Sequence, residues 1–190
     1  LAETEPTAGA GKRGVRTRTF VVLAIVAVLI FAFDQIAKYF VVKNLTLGEI
    51  VPFIGQILQF HFVKNSGAAF SLGSGTTWLF ALIAAGVAVF IVVFARRIQS
   101  VAWALLFGLL LGGTLGNLSD RLFREPSFGQ GHVVDFLQLI YFPAIFNIAD
   151  TAIVSSMVVF IILTLRGIGL DGIRAKRETP GVEPAQSDNS

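Results

Sequence analysis

The chain has 190 residues, of which 54% are hydrophobic and only 14% charged, with a mean hydropathy of +0.75. A soluble domain carries about a quarter charged residues, so this composition excludes an ordinary water-facing globule and points to a single membrane domain. The net charge of +3 is held in short basic clusters beside apolar runs, a membrane pattern that argues against nucleic acid as a partner, and the absence of cysteine removes disulfides, thiolate metal sites and a cysteine nucleophile.

In chain order, residues 1–19 are polar, Gly-rich and basic and read as a disordered tail. Four apolar segments follow, at 20–42, 78–95, 101–118 and 141–165. Each is long enough to cross a hydrocarbon core, which takes about 20 residues and no fewer than about 17. The apolar start of the first could serve as the core of a cleaved signal peptide, but no A-x-A-like site follows it; Asp34, Lys38 and more apolar residues do. Residues 20–165 therefore form one membrane-embedded domain, and 166–190 read as a basic, then disordered, tail.

The linkers are not featureless. Leu58–Phe62 alternates apolar and polar residues as a strand does, Asn65-Ser66-Gly67 reads as a turn, and Ala68–Leu72 could pair back as a second strand. The third span carries Gly108, Gly112 and Gly116, small residues at the spacing that lets helices approach closely. The predicted fold is an all-α membrane protein of four transmembrane helices with a small β cradle and loop on the outer face.

Orientation follows from the basic residues. Lys12, Arg13, Arg16, Arg18, Arg96, Arg97, Arg166, Arg174, Lys176 and Arg177 fall on one side; Lys43, Lys64, Arg121 and Arg124 fall on the other. The positive-inside rule puts both termini in the cytoplasm and the loops 43–77 and 119–140 outside. Polar residues from separate spans then reach one depth: Asp34 and Lys38 on the first, Asn117, Asp120 and Arg121 on the third, Asn147 and Asp150 on the fourth, with Asp135 in the loop between the last two. Intramembrane ionisable residues are costly and tend to face the bundle interior, so a shared depth points to a shared site.

Asp34 and Lys38 are spaced i, i+4 and can pair on one helix face, as a neutralising ion pair or as part of a site. Asp135 and Asp150 offer two carboxylates, which cannot both ionise cheaply when brought together; one would activate water and the other protonate a leaving group. The bland alternative is a surface carboxylate at 135 and a capping or packing role at 150. There is no HExxH, GxSxG or GxGD, and His61 and His132 fall in outer loops where solvated side chains are the ordinary case.

Five blocks in this order are Asp34-Gln35-Ile36-Ala37-Lys38, Asn65-Ser66-Gly67-Ala68-Ala69-Phe70, Gly116-Asn117-Leu118-Ser119-Asp120-Arg121, Val133-Val134-Asp135-Phe136 and Phe146-Asn147-Ile148-Ala149-Asp150. Together with the four spans they resemble the lipoprotein signal peptidases, or signal peptidases II. The resemblance implies an aspartic endopeptidase without metal or cofactor. It would cleave bacterial prolipoproteins just before a diacylglyceryl-modified cysteine, with Asp135 and Asp150 as the catalytic pair. It implies that Asn65, Gly67, Asn117, Arg121 and Asn147 line the site and that Asp34, Lys38 and Asp120 support it. It also implies a monomer in the bacterial plasma membrane, in contact with lipid, that is inhibited by cyclic peptides such as globomycin. The stretch between Arg121 and Asp135, with Pro126, Gly129 and Gly131, reads as a loop insertion relative to the family. A proton channel or small transporter is the rival reading, but its relay would need ionisable groups at several depths, and the inner halves of the spans lack acidic residues.

Overall fold

The computed structural model describes residues 8–67 and 76–174. Its elements run α1 (Ala8–Asn44), β1 (Ile50–Ile54), β2 (Leu58–Asn65), α2 (Thr77–Phe94), α3 (Val101–Phe123), β3 (Val133–Leu139), β4 (Ile145–Phe146) and α4 (Ile148–Leu165). All four helices are long and apolar enough to cross a membrane. Exposed Ile25, Leu29 and Phe33 on α1, Leu82 and Val89 on α2, and Val158 and Ile161 on α4 form an apolar outer surface. In water this would drive aggregation; against lipid it is the solvated face.

Helix α3 is the hub and packs against each of the other three. Its glycines make that possible. A Cβ on Gly112 would come 2.7 Å from the Ala27 carbonyl oxygen of α1, and one on Gly113 would come 2.5 Å from the Ala149 carbonyl oxygen of α4. Neighbouring positions of one helix thus admit the backbones of two others. The core at the end away from the sheet joins Leu23, Ala27, Ile91, Trp103, Ala104, Leu106 and Leu163. At that end the Thr19 hydroxyl donates to Ile98 O at 3.0 Å, and the Trp103 indole N–H donates to Ile168 O at 3.2 Å. Gln99 N and Ser100 N both donate to Leu170 O at 3.0 Å, which ties the α2–α3 connection to residues 168–170.

At the other end lies one antiparallel sheet, in the order β1-β2-β3-β4. Val41 of α1 packs with Phe62, Val134 and Phe136 beneath it.

Several expectations are corrected here. The segment 1–19 was expected to be a disordered tail; residues 1–7 lie outside the described residues, and from Ala8 the chain is helical, continuous with the apolar run that follows. The fourth span was expected from 141; its helix begins at Ile148, because Asn147 caps it and the preceding Ile145–Phe146 pairs with β3. The Leu58–Phe62 strand is present, but the strands beside it are β1 and β3, while Ala68–Leu72 includes no described residue. Residues 166–174 continue in turns with a bridge between Ile168 and Arg174, and 175–190 lie outside the described residues.

Candidate active site

The site grows from the start of α4. Asn147 is its N-cap and accepts the Asp150 backbone N–H on Oδ1 at 2.9 Å. The Asp150 carboxylate reaches back to the Asn147 N–H at 3.2 Å, which completes a capping box. The helix-capping role left open for Asp150 is therefore real, and it occupies only part of the carboxylate. Its other oxygen, Oδ1, accepts from Asn117 Nδ2 at 2.7 Å.

Asp135 is not in a loop, as its apolar neighbours suggested, but in β3, opposite Val63 of β2. Asn65, two residues along β2 on the same face, lies diagonal to it and donates to Asp135 Oδ2 at 2.9 Å. Asn147 Nδ2 donates to Asp135 Oδ1 at 2.6 Å. One asparagine side chain thus holds the Asp135 carboxylate with its amide nitrogen and the Asp150 backbone with its amide oxygen. Burial, and after it the neighbouring charge of Asp150, pushes the Asp135 carboxyl up to about 7, against the pull of the Asn65 and Asn147 hydrogen bonds.

Behind this pair is a buried ionic frame. The Lys38 ammonium lies 2.8 Å from Asp34 Oδ2, 2.8 Å from Asp120 Oδ2 and 3.0 Å from Asn117 Oδ1. All three ammonium protons have acceptors, as a fully buried lysine requires. Asp34 Oδ1 accepts the Ala149 N–H in the first turn of α4 at 2.9 Å. Asp120 accepts Arg124 Nε at 2.6 Å and the Val134 N–H at 3.1 Å, fastening β3 to α3. Two carboxylates and two cations leave the frame neutral. Gly116 makes room for it: a Cβ there would come 2.6 Å from Asp34 Oδ2.

Because Asn117 Oδ1 faces Lys38 and also accepts Asn147 Nδ2 at 3.1 Å, its Nδ2 must face Asp150. The frame therefore sets the direction of the amide that holds the carboxylate.

Arg121 donates through Nη2 to Gly67 O at 2.6 Å, with its guanidinium carbon 5.2 Å from the Phe80 ring centroid. Its Nη1 is buried without a hydrogen-bond partner among the described residues. Asn65, Gly67, Asn117, Arg121, Asp135 and Asp150 line one cavity of about 540 Å³. Its remaining wall is mostly apolar, from Leu139, Phe142, Ala144, Ile145, Phe146, Ile153 and Val154. Such a cavity can bind a chain that is apolar along much of its length and present a polar bond to two carboxylates.

Each candidate site residue, Asp34, Lys38, Asn65, Gly67, Asn117, Asp120, Arg121, Asp135, Asn147 and Asp150, lies in this network or lines its cavity. Two members were missed. Gln35 Nε2 lies 3.1 Å from Asp34 Oδ2, 3.1 Å from Gly116 O and 3.2 Å from Asp120 Oδ1, and Arg124 pairs with Asp120. A glutamine beside Asp34 within a span, and an arginine i+4 from Asp120, are the signals that could have found them. His61 is half-buried rather than solvated, with Nδ1 2.8 Å from Gln138 Oε1. The expected insertion after Arg121 folds back on α3: Gly131 N donates to Arg121 O at 2.9 Å, and His132 N to Glu125 O at 2.9 Å.

Comparison with known proteins gives the arrangement its context. The family model described as signal peptidase (SPase) II matches residues 26–166. The lipoprotein signal peptidase of Leifsonia xyli subsp. xyli is 61% identical over 165 residues, covering 87% of this chain and 76% of that protein. That of Rhodococcus jostii is 41% identical over 172 residues, covering 90% and 86%. A bacterial membrane enzyme structure determined by the in meso method at 2.3 Å resolution superposes with a TM-score of 0.69 at 29% identity, covering 76% of this chain and 88% of that one. With the family model running from within the first span to the end of the fourth, this chain belongs to the signal peptidase II family.

Proposed function

We propose that Asp135 and Asp150 are the catalytic pair of this enzyme, working at the outer face of the membrane. The chain is an aspartic endopeptidase that removes the signal peptide from prolipoproteins. The observation that carries the residue assignment is the Asn147 side chain, which grips the Asp135 carboxylate and the Asp150 backbone together at the head of a cavity both residues line.

In this reading Asp135, which holds its proton up to about pH 7, is the acid and Asp150 the base. Asp150 takes a proton from water as the water oxygen attacks the scissile carbonyl, and Asp135 protonates the carbonyl oxygen. The tetrahedral intermediate then collapses: the C–N bond breaks as the departing amine takes the proton held by Asp150, one hydroxyl of the intermediate returns its proton to Asp135, and the new carboxyl stays on the signal peptide. Arg121 Nη1, without a partner among the described residues, donates to a substrate carbonyl and fixes the peptide across the pair.

Cleavage falls just before a cysteine carrying a diacylglyceryl group. The apolar wall of the cavity suits acyl chains and an apolar signal sequence, and cyclic peptides such as globomycin would compete for the same space. The end of the bundle bearing Arg16, Arg18, Arg96, Arg97 and Arg166 is cytoplasmic by the positive-inside rule, which turns the sheet and the cavity outward. The four-helix unit acts as a monomer in a bacterial plasma membrane. The test is cleavage of a synthetic diacylglyceryl-modified precursor by Asp135→Asn and Asp150→Asn in lipid vesicles. Each variant is expected to lose activity while keeping its melting temperature within a few degrees; near-normal cleavage by either would sink the assignment.

A further inference from the structure

Helix α4 carries four hydroxyls below its cap; Thr164 is exposed in the last turn, and the three nearer the site, Thr151, Ser155 and Ser156, are treated differently. Thr151 Oγ1 donates to Asn147 O at 2.9 Å, and Ser156 Oγ donates to Ile153 O at 2.6 Å. This return to the preceding turn is the ordinary way a hydroxyl is satisfied in a membrane helix. Ser155 makes no such bond and has no hydrogen-bond partner among the described residues, yet it is half-buried and lines the cavity, as do apolar Ala144, Ile145 and Val154. Its hydroxyl is open to the cavity and not spent on the helix, so a group bound there can supply its acceptor.

Its depth constrains what that acceptor is. Ser155 lies five residues below Asp150, about 7.5 Å along the helix axis. From the scissile nitrogen, a lipidated cysteine runs through Cα, Cβ, the thioether sulfur and two glyceryl carbons to an ester carbonyl, roughly 8–10 Å when extended. An ester carbonyl can therefore reach Ser155 while the peptide bond sits at Asp135 and Asp150. A signal sequence passing through lipid as a helix has its own carbonyls satisfied internally, whereas the ester carbonyls have no internal donor. Val154, beside Ser155, is 62% exposed on the apolar surface, which gives the acyl chains a way out into lipid.

We propose that Ser155 is a specificity residue whose hydroxyl donates to an ester carbonyl of the diacylglyceryl group, so that the enzyme distinguishes an acyl linkage from other double-chain lipids. This rests on the prolipoprotein reading above.

The experiment uses the full chain in phosphatidylglycerol vesicles and two synthetic lipopeptides identical except for diacyl or dialkyl-ether glyceryl groups. The native enzyme is expected to prefer the ester. In Ser155→Ala the ester-to-ether ratio of kcat/KM should fall about two- to tenfold, the worth of one neutral hydrogen bond, and Ser155→Thr, which keeps a hydroxyl, should retain more of it. An unchanged ratio in Ser155→Ala overturns the proposal whatever the absolute rates, because an equal loss on both substrates would mean that the hydroxyl serves the peptide. If the native enzyme cleaves neither lipopeptide, the activity reading itself falls, a failure distinct from cleavage without discrimination.

Discussion

Asn147 Nδ2 lies 2.6 Å from Asp135 Oδ1, and the same side chain caps the helix that carries Asp150. In the proposed mechanism one residue therefore has a structural duty and a chemical one, and substitutions can separate them. Asn147→Ala loses both: about 1 kcal/mol of stability from the missing cap and at least a tenfold fall in kcat/KM from the missing donor to Asp135. Asn147→Ser can still accept the Asp150 N–H but is too short to reach Asp135. It should recover much of the melting temperature and none of the cleavage rate. Paired thermal and kinetic measurements on the two variants check this.

The pH profile should show which proton matters. The Asp135 carboxyl is pushed up to about 7, and in the proposed mechanism it is the acid, which works only while protonated. kcat/KM should therefore be lost as pH rises through about 7, approaching tenfold per unit beyond it. Asn65→Ala removes a hydrogen bond that favours the ionised carboxylate. Holding the proton more tightly, that variant should lose activity at a higher pH than the native enzyme. A descending limb that stays in place or moves to lower pH would contradict the assignment of Asp135 as the acid.

Lys38 should be among the least replaceable residues in the chain. Lys38→Met leaves Asp34 and Asp120 facing each other in a buried space without their shared cation, a change that costs about 3–5 kcal/mol for a buried pair. The double variant Lys38→Met, Asp34→Asn removes one of the stranded charges. It should be more stable than the sum of the single effects predicts, as thermal unfolding in detergent would show. Activity should not return, because Asn117 would lose the contact that orients its amide toward Asp150.

The loop after α3 offers a structural test. A Cβ on Gly131 would collide with the Asp120 carbonyl oxygen and come 2.8 Å from Arg124 O, whereas one on Gly129 meets nothing within 4 Å. Gly131→Ala should cost about 1–3 kcal/mol and lower activity by displacing the strand that carries Asp135. Gly129→Ala, strained only by its φ of +75°, should cost about 1 kcal/mol and leave cleavage near normal. Melting temperatures and rates of the two variants make the comparison.

The spans were legible because hydropathy and length decide them almost alone. The site was legible as a depth, since Asp34, Asn117 and Asp150 stand out in apolar surroundings. The sheet was less so. Val133-Val134-Asp135-Phe136 is buried on both faces, so it lacks the alternation that marks Leu58–Phe62, and it passed for loop. The start of α4 was misplaced by the apolar run from Tyr141, although Asn147 with Asp150 three residues on has the form of a capping pair and could have fixed it. What could not be read from one dimension is which amide meets which carboxylate. Asn65, Asn117 and Asn147 come from three elements, and their partners follow from the register of β2 with β3 and from how closely the α3 glycines admit its neighbours.

The frame around Lys38 also bears on how the protein is made. Translation delivers the chain from its N-terminus, so α1 enters the bilayer well before Asp120 and Asn117 exist. During that interval Asp34, one helical turn away at 2.8 Å, is the only acid of the frame available to Lys38. The first span is thus electrically balanced on its own while it waits, and the arrival of α3 turns a local pair into a shared one. A chain bearing Asp34→Asn should falter first at insertion, during biogenesis, before any question of catalysis arises.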